Sequence, residues 1–356
     1  MADAKAGAAV RSDETTLSAE YEADAVAKEA RIAGVFAEAG LDGLFRGMRR
    51  CPVECGYRMR ASFYRAADGG GGIVGVDPRR GRVPLGDSLW VMPEGARPLV
   101  CEVARRITAV HDDARITGFE VRLEFGSGRA HLTLSAERGV PVRLDGFCAE
   151  LMGEVEGVFG VAVPSQGIEA GETEHRHLLL GKTILAHHRA FFQTNRWLTG
   201  DLAGAAQRAA ADPARIVDLY CGVGLHSILA AAPESTVIGV DTNGWAIDSA
   251  RRNAALHGLA HARFERTQVE RLPMGADQRP TVVFVNPSRF GCAPGVVERI
   301  AAWRPDSVCL VSCSIASHAR DLASFVRAGY QPRPFESFDM FPFSEFVESV
   351  TELRPG

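Results

Sequence analysis

From about residue 181 onward the chain repeats one pattern: a short apolar run, a turn, then a stretch with helical spacing. "RIVDLYCGVG" leads into "LHSILAAA", and "TVIGVD" into "NGWAIDSARRNAALHG". "TVVFVNP" leads into "PGVVERIAAW", and "DSVCLVSC" into "SIASHARDL". Strands this apolar have no side to give to solvent. With helices between them, they predict a parallel sheet covered on both faces, an α/β, Rossmann-like domain over residues 181–356. The last stretch, "ESFDMFPFSEFVESVTEL", has no helix between its halves and predicts a terminal antiparallel pair.

The first half reads differently. Residues 1–17 are polar and predict a flexible tail. Residues 18–48 carry Val26, Ile32, Val35, Phe36 and Leu41 at helical spacing, an N-terminal helix. Residues 49–180 read as an α+β domain. "YRMRASFYR" and "GIVGVD" are short strands split by "ADGGGG", and "FEVRLEF", "GSG" and "AHLTLS" form an alternating hairpin. One face of that hairpin must be buried, and "GFCAELMGEVEGVF" has the helical character to cover it.

Bulk properties narrow the function. At 356 residues and 46% hydrophobic content, the chain can bury two cores. A net charge of −4 gives no global field for a polyanion, so contact with nucleic acid requires a local basic patch. No apolar stretch is long enough to span a membrane, and "MADAKAGAAVRSDETT" has no secretory hydrophobic region, so the expectation is a cytoplasmic protein. The eight cysteines are scattered. Only Cys51 and Cys55 lie close together, a weak metal signal, and no metal site is expected.

Two features of the α/β half carry chemistry. In "DLYCGVG", Gly222 and Gly224 allow a tight turn at the end of the first strand, and Asp241 ends the second strand about 20 residues on, where an acid binds ribose hydroxyls. Ser227 occupies the place of the third glycine of a dinucleotide fingerprint, which favours a nucleoside ligand without a pyrophosphate. S-adenosylmethionine fits; the bland alternative is an ordinary glycine turn. The second feature is Cys313, at a strand–helix junction where a helix N-terminus favours a thiolate, the alternative being a small core residue.

A thiolate at such a rim suits carbon methylation of a pyrimidine. C5 becomes nucleophilic once a thiolate adds to C6, and a base must then remove the C5 proton. Glu348, in "EFVESV", is the candidate base, with a surface strand residue as the alternative. Asn286, in "FVNPSRFG", offers one donor and one acceptor to the N3–H and O4 edge of uracil.

Together "AFFQTN", "DLYCGVG", "VNPSRFG", "LVSCS…ARDL" and "FDMFPFSEFVES" resemble, in order, the RNA uracil-C5 methyltransferase family, whose members make 5-methyluridine in tRNA and rRNA. The resemblance covers roughly residues 185–356, with a weaker echo in "YRMRASF" of the family's RNA-facing domain. It implies Cys313 as nucleophile and Glu348 as proton acceptor. It implies Gln193, Tyr220, Asp241 and Asn286 as holders of S-adenosylmethionine, and Arg289 as the residue that orients the target nucleotide. The partner it implies is substrate RNA, with no membrane and no obligate protein partner.

The chain also departs from that pattern. Ser314-Ile315 replaces Asn-Pro after the cysteine, Ser288 replaces a proline, Phe343–Phe346 replaces a His-Thr-x-His segment, and His226 stands where an aromatic is common. The iron–sulfur cysteine set of some members is absent. Three other readings stay open: cytosine-C5 methylation, methylation of a free pyrimidine nucleotide, and a non-catalytic RNA- or cofactor-binding protein. Cytosine enzymes place a second cysteine where this chain has Ser288, and intact Cys313 and Glu348 count against the third reading. For RNA, the stretch holding Arg49, Arg50, Arg58, Arg60, Arg65, Arg79, Arg80 and Arg82, with Tyr57 and Phe63 interleaved, is either a phosphate-and-stacking surface or a solvated arginine-rich one. Tyr57, Arg58 and Arg60 are its candidate substrate contacts.

Overall fold

The computed structural model describes residues 17–66, 72–110, 115–137, 139, 142–210, 213–272 and 279–356. The expected tail up to residue 16 and most of the "ADGGGG" turn lie outside these residues.

The chain starts with helix α1 (Ala19–Glu38), capped by Ser18, whose hydroxyl accepts from Tyr21 N–H. The helix ends ten residues before the predicted boundary. Gly40 and Gly43 take φ of 68° and 76°, and the chain re-enters as strand β1 (Phe45–Arg49). Left-handed backbone of that kind is open to glycine and stops a helix.

A seven-stranded sheet follows, built from β2 (Arg60–Arg65), β3 (Ile73–Asp77), β4 (Gly81–Pro84), β5 (Ile116–Leu123), β6 (Ala130–Ala136), β7 (Val158–Val163) and β8 (Ile168–Gly171). Its spatial order is β4-β3-β2-β5-β6-β7-β8. The predicted hairpin is β5–β6, with Phe119 opposite Leu134, Val121 opposite Leu132 and Leu123 opposite Ala130, all buried. The apolar segment behind it is helical only over Asp145–Glu154. Gly157, at φ 86°, turns the chain into β7, which pairs in parallel with β6. A separate hairpin, β9 (Glu174–Leu179) and β10 (Lys182–His187), leads into the second half.

There the sheet expected from the sequence is present. Its strands are β11 (Arg215–Leu219), β12 (Thr236–Asp241), β13 (Ala262–Arg266), β14 (Val282–Val285), β15 (Ser307–Ser312), β16 (Tyr330–Pro332), β17 (Phe335–Phe338) and β18 (Glu348–Pro355). Their order is β1-β17-β18-β15-β14-β11-β12-β13, with β16 beside β18. The chain runs out from β11 to β13, then returns to the other side with β14 and β15, so a crevice opens between β11 and β14. The predicted antiparallel pair is β17–β18.

Both faces of this sheet are buried, which explains its apolar strands. Val217, Leu219, Val283, Val285, Val308 and Leu310 join a core that includes Ala25, Ile32 and Phe36 of α1. Ile216, Val282, Phe284, Cys309 and Val311 face the other core, shared with the first sheet. Thus α1 and β1 are parts of this layer. β1 pairs in parallel with β17, and Phe36 packs on Phe335 at 4.9 Å.

A buried polar network ties α1 to the end of β17. Lys28 Nζ donates to Asp339 Oδ1 at 2.8 Å and Phe341 O at 3.0 Å, and pairs with Asp24 at 3.1 Å. Tyr21 donates its hydroxyl proton to Asp339 Oδ2 at 2.7 Å, and accepts from Cys51 N–H at 2.9 Å. Burial pushes the Asp339 carboxyl up despite its cation. Lys28→Met therefore leaves a fully buried acid without its counter-charge. We expect a loss of about 3 kcal/mol in urea unfolding; an unchanged midpoint would mean that α1 is not integral to the fold.

Candidate active site

Strand register brings the site together. Leu219 lies level with Val240 and Val285, and Val285 with Leu310, so β11, β12, β14 and β15 end along one rim. Tyr220, Asn286 and Cys313 directly follow β11, β14 and β15, and Asp241 is the last residue of β12. Strand β18 runs back beside β15 with Ser312 opposite Ser349, which sets Glu348, its first residue, next to Cys313. One cavity of about 500 Å³ is lined by Gln193, Tyr220, Gly222, Asp241, Asn286, Arg289, Cys313 and Glu348. Eight of the residues singled out from the sequence thus share a wall.

The glycine turn has two functions. At Gly222 (φ 55°) an added Cβ would meet nothing within 4 Å, so bare backbone faces the cavity. At Gly224 (φ 78°) a Cβ would come within 3.2 Å of Ile228 and Phe264. Gly224 therefore stands behind the wall, where it admits close packing and starts the helix Leu225–Ala230. Ser227, in place of a third glycine, donates its hydroxyl proton to buried Asp218 at 2.5 Å.

Asp241 is oriented by backbone. Gly222 N–H donates to Oδ2 at 3.0 Å and Asn243 N–H to Oδ1 at 2.8 Å, which leaves lone pairs for a diol. Gln193 is 5% exposed, and its Oε1 has no hydrogen-bond partner among the described residues. An unpaired buried acceptor in a cavity wall is costly alone and suits a ligand's donor. His226, also in the wall, sits with Nε2 3.5 Å from Asn286 Nδ2, and burial lowers its pKa to about 4, so the ring is neutral.

Cys313 and Glu348 are the titratable pair of the cavity wall nearest the end of β15. Burial pushes Glu348 up to about 8. It also pushes the Cys313 thiol up to about 11, with Glu348 adding to the rise. This corrects the expectation of a ready thiolate. Cys313 precedes Ser314, the N-cap of the helix Ile315–Arg327, but burial and the adjacent acid outweigh the helix terminus. Glu348 is 4% exposed, so it is not a surface strand residue.

The expected RNA surface is only partly present. Tyr57 is fully buried, its hydroxyl donating to Pro342 O at 3.4 Å, and Phe63 stacks on Phe119 at 5.0 Å; both are core. Phe63 is the buried position of β2, and Tyr57 precedes that strand. Several of the arginines are already paired: Arg49 with Asp201, Arg50 with Glu22, Arg79 with Glu20, and Arg80 with Asp77. Arg58 and Arg60 do line a groove with Tyr64, Phe341 and Phe191, and Phe191 also borders the main cavity. Phe191 and Phe192 went unread in "AFFQTN"; the signal was an aromatic pair next to Gln193 in a segment too short to be a core element.

The Cys51–Cys55 pair shows no metal geometry. Cys51 is buried and accepts from Asn195 Nδ2 at 3.3 Å, while Cys55 is exposed. Among the described residues one trio, Glu169, His187 and His188, has atoms close enough for a cation, but Arg189 already pairs with Glu169 at 2.8 Å.

The second half has the fold of S-adenosylmethionine-dependent methyltransferases, and a family model described as a methyltransferase domain matches residues 211–314. Its relatives are RNA methyltransferases by name. An uncharacterised RNA methyltransferase of Caldanaerobacter subterraneus is 36% identical over 178 residues, covering 49% of this chain and 40% of that protein. One from Gloeobacter violaceus is 33% identical over 199 residues, covering 55% and 42%. The chain thus spans about two-fifths of the length of these relatives. Across nearly the whole chain, the fold matches the Pyrococcus abyssi tRNA (uracil-54, C5)-methyltransferase, solved with S-adenosyl-L-homocysteine. The TM-score is 0.74 at 22% identity, covering 94% of this chain and 83% of that one.

The state of Glu348 is testable through stability. Its pKa is raised from 4.5 to about 8, so the folded protein holds a proton there that the unfolded chain releases. Stability from this group is lost as pH rises across that interval and is level beyond it. Glu348→Gln has no such proton. Its melting temperature, relative to wild type, should climb from the acid end of the interval to the alkaline end; parallel profiles would mean that Glu348 ionises freely.

Proposed function

We propose that the protein methylates C5 of uridine in RNA, with S-adenosylmethionine as donor, yielding 5-methyluridine. The observation that carries this reading is the adjacency of Cys313 and Glu348 across β15 and β18, in the cavity that also contains the glycine turn. A thiol beside a buried carboxyl is what carbon methylation requires, and amine methylation needs neither.

The residues present fit the donor. Asp241 offers oriented oxygens to a ribose, Gly222 bare backbone, and Gln193 an unpaired buried acceptor. When bound, S-adenosylmethionine supplies an electrophilic methyl group on a sulfonium. Asn286 and Arg289 hold the uracil edge and its nucleotide. Cys313 releases its thiol proton to solvent and adds to C6 as thiolate, and the C5–C6 electron pair moves into the enolate that makes C5 nucleophilic. After C5 gains its methyl, Glu348, ionised by loss of its own proton to solvent, takes the C5 proton as carboxylate. Those electrons re-form the C5–C6 bond, the C6–S bond breaks, and Cys313 leaves as thiolate. The names of the curated relatives support RNA as the substrate class.

Methylation of total RNA with labelled donor, followed by nucleoside analysis, tests the reading; label only in another nucleoside would overturn it. Cys313→Ala should reduce turnover to background while still binding the donor in calorimetry. Glu348→Gln should add and methylate but fail to eliminate, leaving a labelled, nuclease-sensitive protein–RNA adduct on a denaturing gel. RNA containing 5-fluorouracil should trap the wild type likewise, because fluorine cannot leave as a cation. Normal turnover by Glu348→Gln would remove Glu348 from the mechanism.

A further inference from the structure

Beside the catalytic cavity lies a second one of about 390 Å³, and the two share Cys313 and Arg289. Its other walls come from three separate places. Arg31 comes from α1, Phe290 from the segment after β14, and Ile315 and Phe346 from either side of the catalytic pair. Phe290 is 72% exposed and Phe346 42%. Two phenylalanines left in water next to a reactive thiol have a cost in solvation that a ligand would remove.

Covalent geometry says which part of the substrate passes here. In a pyrimidine, C6 lies between C5 and N1, and N1 carries the ribose. Once Cys313 sulfur is bonded to C6, C5 faces Glu348 and the glycine turn, and the sugar lies on the far side of C6. The sugar–phosphate chain then leaves the catalytic cavity past Cys313, where the second cavity begins.

We propose that this opening receives the nucleotide adjoining the target uridine, with its base stacked on Phe290 and Phe346, and that these two rings set the sequence context the enzyme accepts. The proposal rests on the uracil-C5 reading above and extends it from the target base to its neighbour. Phenyl faces stack on any base, and guanidinium groups match phosphate. Arg289 lies over the Phe290 ring at 5.2 Å. Arg31 pairs with Glu345 at 3.5 Å, but both are more than a third exposed, so that pair is weak and a phosphate can displace it. The sequence adds an independent mark. Ser314, Ile315, Glu345 and Phe346, four positions where the chain departs from the family motifs, all wall this opening. The chemistry has been kept while its approach has been rebuilt.

The test uses the full chain, S-adenosylmethionine and short RNAs carrying 5-fluorouridine at the target, with 2-aminopurine as its 5′ or 3′ neighbour. With wild type, adduct formation should quench 2-aminopurine on one side. Phe290→Leu and Phe346→Leu keep apolar bulk but lose the ring face. Each should relieve that quench and weaken RNA binding by about tenfold, the loss expected of one base–aromatic stack. Binding of S-adenosylhomocysteine should be unchanged and serves as the fold control. Trp at either position should restore the quench. If both Leu variants form adduct and quench as wild type does, the opening is not the neighbour site and the uracil-C5 reading still stands. If wild type forms no adduct with any RNA, that reading fails, and this one with it.

Discussion

The site depends on one reversed strand. Four parallel strands can bring Tyr220, Asp241, Asn286 and Cys313 to a common rim, because each ends its strand or directly follows it. Glu348 reaches the side of Cys313 by a different route. Strand β18 enters antiparallel, so that it begins where β15 ends. The register of Ser312 against Ser349 then determines how near Cys313 and Glu348 lie. A slip of one residue would turn Glu348 to the opposite face.

The same packing determines the charge state of the pair. Both groups are drawn out of water: burial pushes Glu348 up to about 8, and burial together with the neighbouring Glu348 pushes Cys313 up to about 11. At rest the thiol is therefore quiet. A cation entering the cavity would lower both values, since an opposite charge favours the ionised forms. A sulfonium donor carries such a charge, so reactivity of Cys313 follows from filling the cavity and not from Cys313 alone. The helix terminus after Ser314 is a smaller influence.

Much of this was legible in the sequence because the relevant signals are local. The apolar strands gave the parallel sheet, and Gly222, Asp241, Asn286 and Cys313 each sit where a strand run stops. What was not legible depends on contacts distant in sequence. Tyr57 and Phe63 read as surface aromatics among arginines, but the strand pattern does not say which side meets the core. The partners of Arg49, Arg50 and Arg79 lie on other segments, so the basic stretch looked freer than it is. The short strand β1 was hidden inside a helical pattern, because Phe45 and Met48 are three residues apart, a helical spacing, and a register shift lies between them in the strand. Cys313 was read with its helix but without Glu348, and burial reversed the expected shift.

The joining of α1 and β1 to the far end of the sheet has a consequence for how the molecule comes into being. Lys28 meets Asp339 across 311 positions of chain, and β1 finds its partner only in β17. During synthesis the first helix emerges long before the residues it packs against have been made. Contacts so distant form late, since the loop they close must be ordered first. Glu348 comes later still. A nascent chain therefore carries Cys313 before Glu348 exists, and β18 can pair with β15 only after both have been made.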